Sequence, residues 1–329
     1  MASSVARRTA IVTGSARGIG KAIALRLARD GYSVCINDIP SSQSAIDATV
    51  SEITAQIPAA KDRVLGIPAD VSSSGAVASL VKRTSEKLGP LTLMIANAGI
   101  SQVKPLLNVT DDDIKKVMAV NFNGVFNCYK AAAAQMISQG DPQPTAGVGV
   151  YKILGAASIV SHKPFPSMGI YSASKWAVRG LTQAMAMEMA RHKITVNAYA
   201  PGIVDTNMWE AIDGGLGELE GRKKGDSLKL YSDRFIALGR TSRAEDVAGL
   251  VGGFLASRDS DYVTGQTMDK GVRLYDPWAV AGRADTPIPV QPVATHRHYK
   301  SRGYQDSATL SPSPAQYSAR KNARQQSPP

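Results

Sequence analysis

The turn Thr13-Gly14-Ser15-Ala16-Arg17-Gly18-Ile19-Gly20 constrains this chain more than any other stretch. It follows a short apolar run at residues 8–14. Apolar residues at helical spacing come next (Ile19, Ala22, Ile23, Leu25, Leu27, Ala28), and Gly31 stops that helix. A second apolar strand runs from Tyr32 to Asn37 and ends at Asp38. The first 38 residues therefore predict a complete β-α-β unit, which closes as a parallel pair with a right-handed crossover. Gly14, Gly18 and Gly20, spaced Gly-x3-Gly-x-Gly, let backbone turn tightly and approach a pyrophosphate at a helix N-terminus.

Asp38 closes the second strand, where a carboxylate meets the adenine ribose. It accepts from both ribose hydroxyls and repels a 2′-phosphate, which favours NAD(H). Arg17, in the same loop, can reach a phosphate and leaves NADP(H) open.

The alternation continues to about residue 270. Helices are expected over 44–56, 74–88, 111–138 (one or two), 171–192 and 246–256. Strands are expected over 63–69, 91–96, 148–158, 194–200 and 265–268. This order predicts an α/β doubly wound parallel sheet. Residues 140–149, rich in Pro and Gly, are expected to form a surface loop. From Asp276 the composition shifts to Pro, Ser, Gln, Arg and Ala without apolar periodicity. The expected division is an arm over 1–7, a domain over 8–275 and a disordered or loosely attached tail over 276–329.

The net charge of +11 raises nucleic acid or a membrane surface as partners. The tail carries seven Lys/Arg against three Asp, leaving +7 for the body. No arginine-rich helix or aromatic-interleaved basic stripe occurs there, which argues against nucleic acid. No apolar run approaches the ~20 residues of a membrane span, and the first eight residues lack the apolar middle of a secretory signal. Cys35 and Cys128 sit in apolar runs and are expected to be buried free thiols. A cytoplasmic protein without a metal is the expectation.

Chemistry is carried by Ser158, Tyr171 and Lys175. Tyr171 and Lys175 stand at i and i+4 in a helical segment and share a face. A tyrosine of pKa ~10 is a poor base at neutral pH. A nearby ammonium, with the charge of an oxidised nicotinamide, is expected to lower it so that Tyr171 can exchange a proton. Ser158, ending a strand, can hydrogen-bond a substrate oxygen as charge develops. Asn121 can hold a water that links Lys175 to solvent. Tyr-x3-Lys alone also occurs on solvated helix faces; the joint occurrence, in order and on correctly placed elements, makes the pattern specific.

Thr-Gly-x3-Gly-Ile-Gly, Asn97-Ala98-Gly99, Asn121, Ser158, Tyr171-x3-Lys175 and Pro201-Gly202 together resemble the short-chain dehydrogenase/reductase family over residues 8 to about 270. The resemblance implies a single Rossmann-like domain, metal-free chemistry and a homotetramer or homodimer. It implies a catalytic tetrad of Asn121, Ser158, Tyr171 and Lys175. Asp70 and Val71 would hold adenine, and Asn97 and Gly99 would border the adenosine ribose. Lys175 would also hold the nicotinamide ribose, while Val204 and Thr206 would contact the carboxamide side.

Within the family, residues 170–183, 198–213 and 239–249 are similar to diacetyl/acetoin reductases, also called 2,3-butanediol dehydrogenases. A small vicinal diketone or hydroxyketone is then the expected substrate. Met208 and Trp209 would lie in a lid loop, with Val160 and Phe165 as further wall residues. Two alternatives stand beside this reading: a reductase of a larger carbonyl (3-oxoacyl thioester, sugar or polyketide), and a non-catalytic nucleotide-binding scaffold. The loop at 140–149, Ala157 before Ser158 and the tail after Asp276 depart from the family pattern, and one further departure is more serious. Thr267-Met-Asp-Lys-Gly-Val replaces a longer apolar strand and an Asp-Gly-Gly turn, which puts subunit packing in question.

Overall fold

The computed structural model describes residues 8–142 and 149–270. The expected arm, the expected tail and most of the 140–149 loop lie outside the described residues. In chain order the elements are β1 (Thr9–Val12), α1 (Gly18–Arg29), β2 (Ser33–Ile36), α2 (Gln43–Gln56), β3 (Val64–Gly66), α3 (Ser74–Leu88), β4 (Leu91–Ala96) and α4 (Asp111–Met118). There follow α5 (Gly124–Ser138), β5 (Tyr151–Ala156), α6 (Gly169–Met189), β6 (Ile194–Pro201), α7 (Asn207–Glu220), α8 (Asp226–Phe235), α9 (Ala244–Leu250) and β7 (Thr267–Lys270).

All strand pairs are parallel, in the order β3-β2-β1-β4-β5-β6-β7. Side chains alternate across each strand, so the sheet has two apolar faces. Ile11, Met94 and Ala96 pack with Val77, Cys128, Tyr129 and Val178 of α3, α5 and α6. Ala10, Val12, Leu93 and Ile95 pack with Ile23, Leu27, Ile46 and Val247 of α1, α2 and α9. Both cysteines are buried and free. Strand order reverses between β1 and β4, and such a reversal opens a crevice at the carboxyl ends of the strands.

The alternation in the sequence and the observed elements agree in order, with shifted bounds, except in one region. Residues 207–235, expected to hold a lid loop at Met208 and Trp209, form the helices α7 and α8. Asp213 holds this hairpin together. Its buried carboxylate accepts from the backbone amides of Gly225, at 2.5 Å, and Leu228, at 2.8 Å, at the start of α8. The last strand is four residues, two places later than expected, and pairs with the end of β6. Among the described residues no helix is long and apolar enough to cross a membrane.

Candidate active site

A cavity of about 690 Å³ lies over the crevice. Its floor is the turn between β1 and α1. Gly14 and Gly18 take positive φ, +62° and +57°, where any other residue is strained. Gly20 lies inside α1, and there crowding is what excludes a side chain. A Cβ on it would stand 2.3 Å from the Gly14 carbonyl oxygen and 2.6 Å from Asn97 Nδ2. Asn97 ties this turn to β4: Nδ2 donates to the carbonyls of Thr13 and Gly14, at 2.9 and 3.1 Å, while Oδ1 accepts from the Tyr199 hydroxyl at 2.9 Å. α1 begins with no capping side chain and no acidic residue in its first turn. Its free amides and dipole face the cavity and suit an anion. A close-packed glycine turn under an uncapped helix start fits a dinucleotide pyrophosphate.

At one rim, Asp38 is fixed by backbone donors. Its Oδ1 accepts from the Ile39 amide at 2.9 Å and its Oδ2 from the Ala16 amide at 3.3 Å. Arg17 is exposed beside it. Asp70 and Val71 line the same end, with Asp70 Oδ1 accepting from the amide and hydroxyl of Ser72. Gly99 faces the middle of the cavity. A Cβ there would lie 3.3 Å from Asn121 Oδ1 and 3.4 Å from Lys175 Nζ. Ile19 and Thr206 also line the cavity, as do Pro201, Gly202 and Val204 at the end of β6.

Ser158 follows β5 and starts the short helical turn 159–161, its Oγ accepting from the Val160 amide at 3.4 Å. Tyr171 and Lys175 project from α6 toward it, with Lys175 Nζ 5.7 Å from the centre of the Tyr171 ring. Burial pushes the Tyr171 phenol above its ordinary value, and a hydrogen bond with Ser158 pulls it back. In the chain by itself desolvation outweighs the Ser158 bond, and the phenol keeps its proton at neutral pH. Burial also pushes Lys175 down, to about 8. Its ammonium donates to the Ala156 carbonyl at 2.7 Å.

Of the expected site residues, only Asn121 does not line the cavity. It is buried one layer behind, in a π turn (residues 119–123) between α4 and α5. Its amide donates to the Ile100 carbonyl at 2.9 Å and to Ser174 Oγ at 3.1 Å, and its Oδ1 accepts from the Ile100 amide at 2.8 Å. These bonds set the loop after β4 against α6.

Above Ser158, Tyr171 and Lys175, the side chains of Val160, Phe165, Met208 and Trp209 form an apolar wall with two further members. Tyr231 and Phe235 of α8 stack at 5.8 Å, and Phe165 meets Tyr231 edge-on at 5.0 Å. The Tyr231 hydroxyl is turned to Glu220, at 3.1 Å. Sequence reading missed these two, although Leu228, Tyr231 and Phe235 stand at i, i+3 and i+7.

The charge of Lys175 has a measurable cost. The unfolded chain holds this proton to its ordinary value of 10.5, the folded chain only to about 8. Between these values the unfolded state binds more protons, so the fold gains stability as pH rises. Lys175→Met removes that dependence. Denaturant unfolding at pH 7 and pH 10 is expected to show the parent gaining on the variant by about 2–3 kcal/mol. A gap between the two proteins that does not move with pH contradicts this.

The profile of the short chain dehydrogenase family matches residues 8–215. The chain is 44% identical over 261 residues to L-2,3-butanediol dehydrogenase of Corynebacterium glutamicum, covering 79% of this chain and 96% of that one. It is 38% identical over 262 residues to diacetyl reductase [(S)-acetoin forming] of Staphylococcus epidermidis, covering 79% and 96%. A solved structure of a short chain dehydrogenase from Burkholderia cenocepacia in complex with NADP superimposes with a TM-score of 0.67 at 32% identity, covering 81% and 97%.

Proposed function

Because the chain belongs to the short-chain dehydrogenase/reductase family, and so is a nicotinamide-dependent oxidoreductase acting on CH–OH donors, we propose that it reduces diacetyl and acetoin with NADH and oxidises 2,3-butanediol in reverse. The observation that carries this is the single cavity in which the glycine turn, Ser158, Tyr171 and Lys175 lie beneath an apolar wall. When bound, the nicotinamide supplies the hydride. The chain's residues do the rest. Ser158 and Tyr171 hydrogen-bond the carbonyl oxygen, and Tyr171, protonated at neutral pH, gives it a proton. Lys175 keeps a positive charge near the ring below about pH 8. Asn121 positions α6 and the loop after β4. The wall of Phe165, Met208, Trp209, Tyr231 and Phe235 takes the methyl groups and excludes water. The Tyr231 hydroxyl, committed to Glu220, leaves that wall apolar toward the substrate.

NAD(H) is favoured over NADP(H), since the fixed Asp38 carboxylate repels a 2′-phosphate more effectively than the exposed Arg17 attracts one. Two buried free thiols suit the cytoplasm. Phe126, Ile137, Trp176 and Met187 leave exposed apolar surface on α5 and α6, and a second copy of the chain is the proposed cover. Light scattering that gives a monomer removes that part of the proposal.

The test is initial-rate reduction of diacetyl and acetoin with NADH and NADPH in parallel. Turnover is expected with kcat/KM for NADH about 10-fold or more above NADPH, the scale of roughly 1.4 kcal/mol of discrimination. Preference for NADPH overturns the role given to Asp38. No turnover by folded, NADH-binding protein overturns the substrate.

A further inference from the structure

The strand at 267–270, polar where the family pattern is apolar, places Asp269 at a junction of three functional elements. In register, Asp269 pairs with Ala200, and Lys270 with Pro201, where β6 enters the Pro201-Gly202 turn. Opposite Asp269 stands His162, four residues after Ser158, with Nε2 at 3.0 Å from Asp269 Oδ1. That nitrogen is buried and off the line of a hydrogen bond. The third group is Arg179 of α6, four residues after Lys175 and eight after Tyr171, thus on their side of the helix. It donates to the Ser161 carbonyl at 3.3 Å, lies over the Trp176 ring at 5.6 Å and acts on Asp269 through its charge. Burial raises the Asp269 carboxyl, and His162 and Arg179 both oppose that rise.

The turn between Ser158 and His162 is closed locally. The Ser161 amide and hydroxyl donate to the Ser158 carbonyl, at 2.8 and 2.5 Å, and the His162 amide donates to Ile159 at 3.0 Å. Nothing in those bonds sets where the turn lies relative to α6 or β6. Ahead of the turn, the Ala157 amide donates to the Tyr199 carbonyl of β6 at 2.9 Å, and Ser158 meets Tyr171 of α6; at its far end Arg179 and the His162–Asp269 pair add to that placement.

We propose that Asp269 is a positioning residue for the reaction: acting through His162 and Arg179, it fixes the Ser158 turn against the helix that bears Tyr171 and Lys175. A small displacement of a reacting group costs rate far more than it costs affinity for a cofactor held elsewhere. The proposal rests on the role given to Ser158, so its test has one arm that needs no substrate.

The experiment compares full-length parent, Asp269→Asn, Asp269→Glu, His162→Gln and the Asp269→Asn/His162→Gln double variant. With diacetyl and NADH, Asp269→Asn is expected to lower kcat about 5- to 20-fold with KM and NADH affinity little changed, and Asp269→Glu to recover most of the loss. The double variant is expected to lose little more than the worse single one, as coupled residues do. In the second arm, hydrogen exchange of backbone amides over 158–162 is expected to rise in Asp269→Asn and to return in Asp269→Glu. Unchanged exchange in that stretch overturns the proposal whether or not diacetyl is turned over. So does a loss of kcat that Glu does not restore. A parent that fails to reduce diacetyl overturns the substrate instead, and the exchange arm then decides for Asp269.

Discussion

Replacing Tyr171 with phenylalanine is expected to lower carbonyl reduction about 10³-fold, within the range set by removing a general acid, while NADH still binds. The hydroxyl stands beside Ser158 in the cavity, and burial keeps it protonated. Phenylalanine retains the ring and its packing against Ile203, Ile212 and Leu216. The variant is therefore expected to stay folded. The sign of the pH dependence follows from the same group. Reduction needs the protonated phenol and is expected to hold through neutral pH, then fall as pH climbs toward its raised value. Oxidation needs the phenolate and is expected to rise with pH. Stopped assays of kcat in both directions, beside NADH fluorescence titration, check this. A variant that keeps more than about a tenth of parental kcat removes Tyr171 as the acid.

Gly20→Ala is expected to have the second largest effect, on cofactor affinity and stability together. The added methyl would stand 2.3 Å from the Gly14 carbonyl, 2.6 Å from Asn97 Nδ2 and 2.8 Å from Ser15 Cα. Two of these neighbours are backbone and cannot swing aside. The turn must move, breaking the Asn97 bonds that tie it to β4. Overpacking of this kind costs about 3 kcal/mol or more, which lowers the melting temperature by roughly 6–12 °C in a domain of this size. NADH affinity is expected to fall about 100-fold, the scale of an ångström displacement. Gly31→Ala serves as the control: nothing lies within 4 Å of a Cβ there, and the only strain comes from its positive φ of +87°. A Gly20→Ala protein that melts and binds like the parent contradicts the close-packed turn.

The sheet was legible in the sequence because its signals are local. Apolar runs ending in Gly14, Asp38 and Asn97 mark strands that stop at the crevice, and helical periodicity marks the crossovers. The Tyr171–Lys175 pair and the glycine turn were legible for a similar reason, since fixed spacing on one helix or turn fixes relative direction. Other features depend on contacts that spacing does not encode. α8 was not read from the sequence, although its apolar residues have helical spacing. The residue that organises its start, Asp213, lies twelve positions away. Asn121 was placed in the site by its motif, yet its bonds to Ile100 and Ser174 put it behind the cavity wall. The direction of the Tyr171 shift depends on burial, which only the folded packing supplies.

The central claim is that this chain moves hydride directly from NADH to a small diketone held by Ser158 and Tyr171. The most direct test uses NADH deuterated at the transferable C4 position, full-length protein and diacetyl, with product analysed by mass spectrometry. The account predicts acetoin carrying one deuterium on the new carbinol carbon, and none formed by Tyr171→Phe over the same interval. Acetoin without deuterium, or no acetoin from protein that binds NADH, contradicts it.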